Sequence, residues 1–409
     1  MNFLRKQLDK VKPYTEKSKF LHTAYDAFET LLFTPKTVTT GLGTHIRDGL
    51  DLKRTMVSVV IALQLCLLFG IFNIGHQHFA AFGMYEGYTD GLLYKLLYGL
   101  LQILPLIVVV HVVGLGIEFY FASKKGHGVE EGFLVSGMLI PLIMPPDVPL
   151  WMVAISVVFA VIIAKEAFGG TGMNILNIAL TARVFVFFAY PTYISGDNVW
   201  VSFDYNFLHQ IFGLHHLTAG NMANVVDGFS GATPLALAAK GGWEAVVQKY
   251  SVSQMFWGDI PGSIGEMCKP AIIAGALMLI VTGIGSWQIM VSMIAGLLFM
   301  GMVFNGYASS VPEASPFLAV PFYYHLIMGS FLFAMAYMAT DPVTAAQTQT
   351  GKWIYGFSIG VMGMIVRVLN PAYPEGWMLA ILFMNVFAPL IDHFVIQANI
   401  KRRLKRSHA

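Results

Sequence analysis

Apolar runs separated by short polar breaks dominate the chain from residue 55 to residue 397, with one long polar interruption in the middle. About twenty mostly apolar residues match the hydrocarbon thickness of a bilayer, so each run of that order reads as a membrane-spanning helix. Five runs precede the interruption, at 55–72, 97–121, 132–144, 150–164 and 174–190. Five follow it, at 271–283, 288–304, 323–340, 353–369 and 376–397. The run 132–144 is short and ends in Pro145, Pro146 and Asp147, which predicts a broken or re-entrant helix. The pattern predicts an all-α polytopic membrane protein of about ten transmembrane helices. Its expected parts are an arm at 1–54, a first five-helix unit at 55–190, a polar loop at 191–270, a second five-helix unit at 271–398 and a tail at 399–409.

Composition supports this class. Hydrophobic residues make up 56% and charged residues only 12% of the 409, whereas a soluble domain carries roughly a quarter charged. A net charge of +2 gives no reason to expect a nucleic-acid partner, so the placement of charge matters more than its sum. The arm is basic, shows no cleavable signal peptide, and carries Leu21, Ala24, Tyr25, Phe28, Leu31 and Leu32 on one helical face. That face predicts a short amphipathic helix lying on membrane lipid, on a partner, or on the rest of the chain. The tail holds Lys401, Arg402, Arg403, Lys405 and Arg406. By the positive-inside rule both termini belong in the cytoplasm, which an even number of spans allows. The loop 191–270 carries Lys240, Lys249 and Lys269 against Asp197, Asp204, Asp227, Glu244, Asp259 and Glu266, and is expected to face outward.

Two units of five crossings are inverted relative to each other, and the sequence hints at such a repeat. Met144-Pro145-Pro146-Asp147 aligns with Met338-Ala339-Thr340-Asp341, each at the end of a third run, and Ser136 aligns with Ser330 at the same offset. In inverted repeats the functional centre lies between the halves, where broken helices expose backbone dipoles.

Polar groups at membrane depth are costly and mark candidate sites. Arg183, Arg367, Asp392 and His393 lie within predicted spans, and Lys165 and Glu166 sit at a span end ahead of a glycine-rich turn. Each could equally serve an internal ion pair. Asp341 and Asp392 are the candidates for a sodium path, because carboxylate oxygens suit a hard cation. Asn174 and Asn177, three apart at the start of a span, would share a helical face and hydrogen-bond either a polar ligand such as a flavin ring or a neighbouring helix. His76, His78, His215 and His216 are expected in outward loops as ordinary loop residues, and Cys66 and Cys268 lack ligand spacing. In the loop, DGFSGATPLA at 227–236 reads on its own as a turn. Its Thr233 is nevertheless flanked by Gly231 and Ala232, which leave the backbone bare, and by Pro234, which disfavours the helical conformation at Thr233.

Several stretches together carry a resemblance. DGFSGATPLA resembles the motif in which a threonine of a membrane protein is esterified to FMN by a dedicated flavin transferase. KEAFGGTGMNILNIALTARVFVFFAYP, TGKWIYG, MATDPV, RVLNPAYPEGWMLAILFMNVFAPLIDH, the arm sequence FTPKTVTTGLGTHIRDGLDLKR and the tail IKRRLKR are similar to the B subunits of sodium-translocating NADH:quinone oxidoreductases, in one order over nearly the whole chain. The D subunits of Rnf electron-transport complexes share the threonine and the ten-span core, but are typically shorter and lack the long arm. One departure is Ile178, where relatives usually show proline.

The resemblance implies an electron carrier in a six-subunit complex of the bacterial inner membrane, with partners A, C, D, E and F. It implies FMN on Thr233, with Asp227, Gly228, Ser230, Gly231 and Ala232 as its motif, and the flavinylated loop in the periplasm. It further implies a riboflavin near Asn174, Asn177 and Asp341, ubiquinone as acceptor, and coupled sodium transport. A rival reading from another class is a urea- or ammonium-type solute channel built from the same inverted five-plus-five helices.

Overall fold

The computed structural model describes residues 52–125, 132–194, 201–202, 205–214, 232–311, 313–370 and 375–407, together with Pro13, Tyr25 and Glu29. Asp227, Gly228, Ser230, Gly231, His215, His216 and most of the amphipathic arm therefore lie outside the described residues. Among the described residues every regular element is helical, as the hydropathy pattern predicts.

The first half contains α1 (Leu52–Ala81), α2 (Leu92–Lys125), α3 (Phe133–Ile143), α4 (Leu150–Phe159) and α5 (Ile178–Ala189). A π turn at Ala160–Lys165 and a 3-10 turn at Glu166–Phe168 extend α4. The described part of the polar stretch 191–270 holds α6 (Phe207–Ile211), α7 (Pro234–Lys249) and α8 (Val252–Trp257). The second half comprises α9 (Lys269–Val281), α10 (Trp287–Ser310), the short α11 (Phe331–Phe333), α12 (Gln349–Leu369) and α13 (Trp377–Ser407). Among the described residues six helices are long and apolar enough to cross a membrane, namely α1, α2, α4 with its extension, α10, α12 and α13.

The remaining apolar elements are shorter. Helix α3 has 11 residues and α5 has 12, which at 1.5 Å per residue is about 17 Å, roughly half a bilayer. The C-terminal end of α3 and the N-terminal end of α5 fall inside the protein, where unpaired backbone groups must find other partners. The C-terminal carbonyls of α3 are supplied in this way. Gly265 N donates to Leu142 O at 2.7 Å, while Arg183 Nη1 and Ser263 Oγ donate to Ile143 O at 2.6 and 3.3 Å.

The expected span 323–340 is not a continuous helix. It forms a 3-10 turn at Phe322–Leu326, breaks at Gly329, whose φ is +68°, and resumes through α11 into a π turn at Ala334–Met338. Cations occupy the freed carbonyls. Arg367 Nη1 donates to His325 O and Met328 O at 3.0 and 3.2 Å, and Lys269 Nζ donates to Gly329 O at 3.1 Å. Arg367, read from sequence only as a costly charge in an apolar run, thus serves a broken helix elsewhere in the chain, its positive group offsetting carbonyl charge at a helix end.

Helix α1 packs on α2 and α9, α10 on α12, and α12 on α13, while α5 crosses to α13. Elements in the same place in each half, α1 with α9 and α5 with α13, thus meet across the middle. Close approach relies on small residues: a Cβ on Gly99 would stand 1.8 Å from Ile71 O, and one on Gly360 would stand 2.3 Å from Met293 O. A separate apolar cluster seats α7 against the second half through Leu235, Ala238, Val246, Phe317, Val320 and Met328.

His76 and His78 are not loop residues. Both lie near the end of α1 and are buried. His78 stacks on Tyr98 with ring centres 3.8 Å apart, and its nitrogens reach Ser202 O at 2.7 Å and Tyr205 Oη at 3.0 Å. Apolar flanks carried α1 past the point where the polar residues alone suggested it ended.

Candidate functional site

A cleft with roughly 750 Å³ of free space, counted to its open mouth, lies where the two halves meet. It is lined by Thr55 and Met56 at the start of α1, Ser136 and Leu139 of α3, and Lys165 and Thr171 beyond α4. Asn174, Asn177, Tyr337, Thr340 and Asp341 complete its polar side. The three residues singled out from sequence as flavin contacts, Asn174, Asn177 and Asp341, are thus brought to one cavity from both halves.

The route to that convergence differs from the expectation. Asn174 and Asn177 do not share a helical face, because α5 begins only at Ile178. Asn177 is the N-cap of α5, with φ −66° and ψ 124°, and its Oδ1 accepts from Leu180 N at 3.1 Å. Asn174 sits in the turn before it, with Nδ2 donating to Leu176 O at 3.2 Å. The turn is shaped by Gly169, Gly170 and Gly172, at φ +122°, +108° and +86°, conformations that disfavour any side chain. Ile178 occupies the first helical position, where a proline loses no intrahelical bond; the exchange with the proline expected there leaves the helix start intact.

Asn177 spends its other end on the opposite half. Its Nδ2 donates to Asp341 Oδ2 at 3.3 Å, beside Thr344 Oγ1 at 3.0 Å, while Val343 N donates to Asp341 Oδ1 at 3.1 Å. Three donors leave the carboxylate part of its acceptor capacity of about four lone pairs for the cleft. Lys165 lines the same space and pairs with Glu118 of α2, both deeply buried, and Lys125 pairs with Glu166 at 2.8 Å. These two ion pairs fix the end of α4 to α2.

Asp392 is elsewhere. On α13, it accepts from Gln347 N at 2.7 Å, Thr348 N at 3.0 Å and Thr348 Oγ1 at 2.5 Å. Thr348 in turn caps α12, accepting from Gly351 N at 3.1 Å. Asp392 therefore secures one end of the segment whose other end carries Asp341, and it does not line the cleft.

Thr233 is the N-cap of α7, half-buried, with φ −71° and ψ 156°. This extended backbone is the one that Pro234 imposes on the residue before it. Its Oγ1 accepts from Ala236 N at 3.2 Å. Tyr250 Oη donates to Ala232 O at 2.9 Å, and Trp243 stacks on Tyr324 with ring centres 3.7 Å apart. The hydroxyl is therefore placed at a helix start by a packed platform.

A third constellation was only partly visible in sequence. Arg183 Nη2 pairs with Glu375 at 3.1 Å, Arg367 Nε donates to Glu375 O at 3.4 Å, and Lys269 Nζ donates to Glu266 O at 2.8 Å. Arg183 and Arg367 stood out as charges in apolar runs. Glu266, Lys269 and Glu375 lie at the edges of such runs, where charge is ordinary and gives no signal. Among the described residues no group of three or more His, Cys, Asp or Glu side chains could hold a metal ion.

Comparison with known proteins places this architecture. A family model described as the NQR2, RnfD, RnfE family matches residues 39–401. The B subunit of the Na(+)-translocating NADH-quinone reductase of Chromohalobacter salexigens is 43% identical, aligned over 99% of this chain and 97% of its own length. The B subunits of the same reductase from Pseudomonas aeruginosa and Azotobacter vinelandii are 43% and 42% identical, each aligned over 99% of both chains.

Proposed function

The chain belongs to the NQR2, RnfD, RnfE family, and on that premise we propose that it is the membrane electron-carrying subunit of a respiratory sodium-translocating NADH:ubiquinone oxidoreductase. In this reading it sits in a bacterial inner membrane within a six-subunit complex. It holds FMN as a phosphoester on Thr233, installed by a flavin transferase, and riboflavin in the cleft, with ubiquinone as electron acceptor and sodium as the transported ion. Relatives aligned over nearly their whole length all carry the quinone-reductase name, which favours this reading over a member of an Rnf complex.

The observation that carries it is the convergence of Asn174, Asn177 and Asp341 on one cleft between the halves. The residues present fit a flavin: apolar walls from Leu139, Met56 and Leu279 would enclose a flat ring, and amide groups would meet its polar edge. Bound flavin would supply the redox chemistry. The chain's part is to orient, enclose and bias charge. Lys165, held by Glu118, keeps a cation at the cleft wall, and Asp341 keeps an acceptor opposite it.

At Thr233 the fit is of another kind. An esterified hydroxyl would place a phosphate diester at the first turn of α7, where backbone N–H groups favour negative charge. Attachment would also prevent loss of a cofactor from a hydrated surface.

Purified protein run on a denaturing gel under ultraviolet light tests the reading. A fluorescent band that persists in Thr233→Ser and is absent from Thr233→Val is expected. A dark wild-type band from a strain carrying the flavin transferase would sink it.

A further inference from the structure

A second pocket lies at the other end of α1 from the cleft. It is lined by Phe69, Phe72 and Asn73 of α1, Tyr88 after it, Ser253 and Trp257 of α8, and Asp259, and has roughly 810 Å³ of free space including its mouth. From Thr55 to Asn73 is about 27 Å along a helix axis at 1.5 Å per residue, so the two sites are separate.

The chemistry of this pocket is one-sided. Four aromatic residues line it, Phe69, Phe72, Tyr88 and Trp257, and the face of an aromatic ring attracts a cation. The carboxylate of Asp259 stands at one side, accepting from Gln77 Nε2 at 2.9 Å and Tyr88 Oη at 3.1 Å, with His76 Nε2 3.4 Å away. Burial favours the neutral acid here, but the hydrogen bonds and charge of His76 and the Tyr88 hydroxyl outweigh it and hold Asp259 below the usual carboxylate range. Asn73 supplies the second observation. Its residue is 5% exposed and its Nδ2 donates to Ile260 O at 3.0 Å, yet its Oδ1 has no hydrogen-bond partner. A buried amide oxygen without a donor is costly, and in this pocket it calls for a ligand that donates. Lys95 does not answer that need: its ammonium lies 5.9 Å from the Phe72 ring centre and donates to Gly87 O, and it does not line the pocket.

The surface leading to the pocket identifies the source of such a cation. Val57, Ile61, Leu65 and Leu68 recur at helical spacing on α1 and are all exposed, Leu68 by 61%. This apolar stripe runs along the membrane helix to Phe72, one turn beyond Leu68. Trp257, 60% exposed, and Phe256 stand at its end, as aromatic residues do where hydrocarbon meets headgroups.

We propose that this pocket binds the ammonium headgroup of a phospholipid whose acyl chains lie along the exposed stripe of α1. Asn73 Oδ1 and Asp259 accept from the ammonium, the rings of Phe72, Tyr88 and Trp257 surround it, and Ser253 at the pocket wall donates to the phosphate. The chain thereby selects an amine-bearing lipid over an anionic one at this position, independently of any flavin.

The test is native mass spectrometry of the full assembly extracted from its membrane and exposed to phosphatidylethanolamine or phosphatidylglycerol. Wild type is expected to retain phosphatidylethanolamine at least about fivefold over phosphatidylglycerol. Trp257→Ala and Asp259→Asn should each reduce that retention by roughly fivefold, which for Trp257 is the scale of a solvent-exposed cation–ring contact. Trp257 is largely exposed, so its variant reports binding even where Asp259→Asn disturbs folding. Equal retention of both lipids, undiminished retention in Trp257→Ala, or a lysine or arginine of a neighbouring protein of the complex seated in the pocket would each overturn the proposal.

Discussion

Asn177 does two things with one amide. Its oxygen caps α5 and its nitrogen reaches Asp341 across the middle of the molecule. The two uses can be separated. Asn177→Ser keeps a capping oxygen but is too short for Asp341, so protein-bound, acid-releasable flavin should fall several-fold with little change in melting temperature. Asn177→Leu loses both and should cost about 1 kcal/mol in addition. Full flavin content in both variants would remove Asn177 from the cleft's function. His209 shows the same economy. Its Nδ1 accepts from Asn206 N at 3.1 Å, a bond that needs the neutral ring, while its Nε2 donates to Tyr98 O at 3.0 Å in either charge state. Burial lowers its pKa below the usual imidazole value, although the Tyr98 carbonyl opposes this. Because the folded value lies below the unfolded one, its contribution is complete above the ordinary imidazole pKa of about 6.5. It declines as pH falls from there through the folded value. Amide protection factors across α6, referred to the intrinsic exchange rate at each pH, should fall as pH drops below about 6.5, more than global unfolding accounts for, and His209→Gln should flatten that dependence.

At the level of elements, the short helices explain why charges stand inside the apolar runs. The ends of α3 and of the broken segment 322–340 expose carbonyls at depth, and Arg183, Arg367 and Lys269 take them. Arg367→Met should therefore be severe, since it strands the His325 and Met328 carbonyls and removes a cation beside Glu375. Loss of one member of a buried charged set costs about 3–5 kcal/mol, to be read as a fall in the detergent-solubilised melting temperature or in yield. Arg367→Lys, with one ammonium for several acceptors, should recover part of the loss. Equal stability of Arg367→Met and wild type would show that the break in the helix needs no cation. The apolar runs showed where membrane segments lie, but not that the eighth would be broken. Its residues are as apolar as its neighbours, and the arginine responsible lies about forty residues away in sequence.

At the scale of the whole molecule, function rests on how closely the halves approach. A Cβ on Gly275 of α9 would lie 1.8 Å from Tyr337 Oη and 3.0 Å from Ala62 O. Gly275→Leu should push α9 from α1 and from the segment carrying Asp341, so that non-covalent flavin is lost while the band of flavin attached at Thr233 remains. Loss of both, or of neither, would separate the cleft from that interface. What the sequence determined by itself was the class and the inventory. Runs of apolar residues have no stable place but lipid or a core, Pro234 sets the backbone of Thr233 locally, and the order of several motifs is specific enough to mark a family. What only the tertiary structure decided was the arrangement of those residues around one another. Asn174 and Asn177 reach the cleft through a glycine turn and a helix cap rather than a shared face. Asp341 joins them while Asp392, equally conspicuous as a carboxylate in an apolar run, is spent holding a turn. Period and composition are local properties of the chain, whereas a site is made by contacts between segments far apart in it, and those follow from which helix ends the packing leaves unsatisfied.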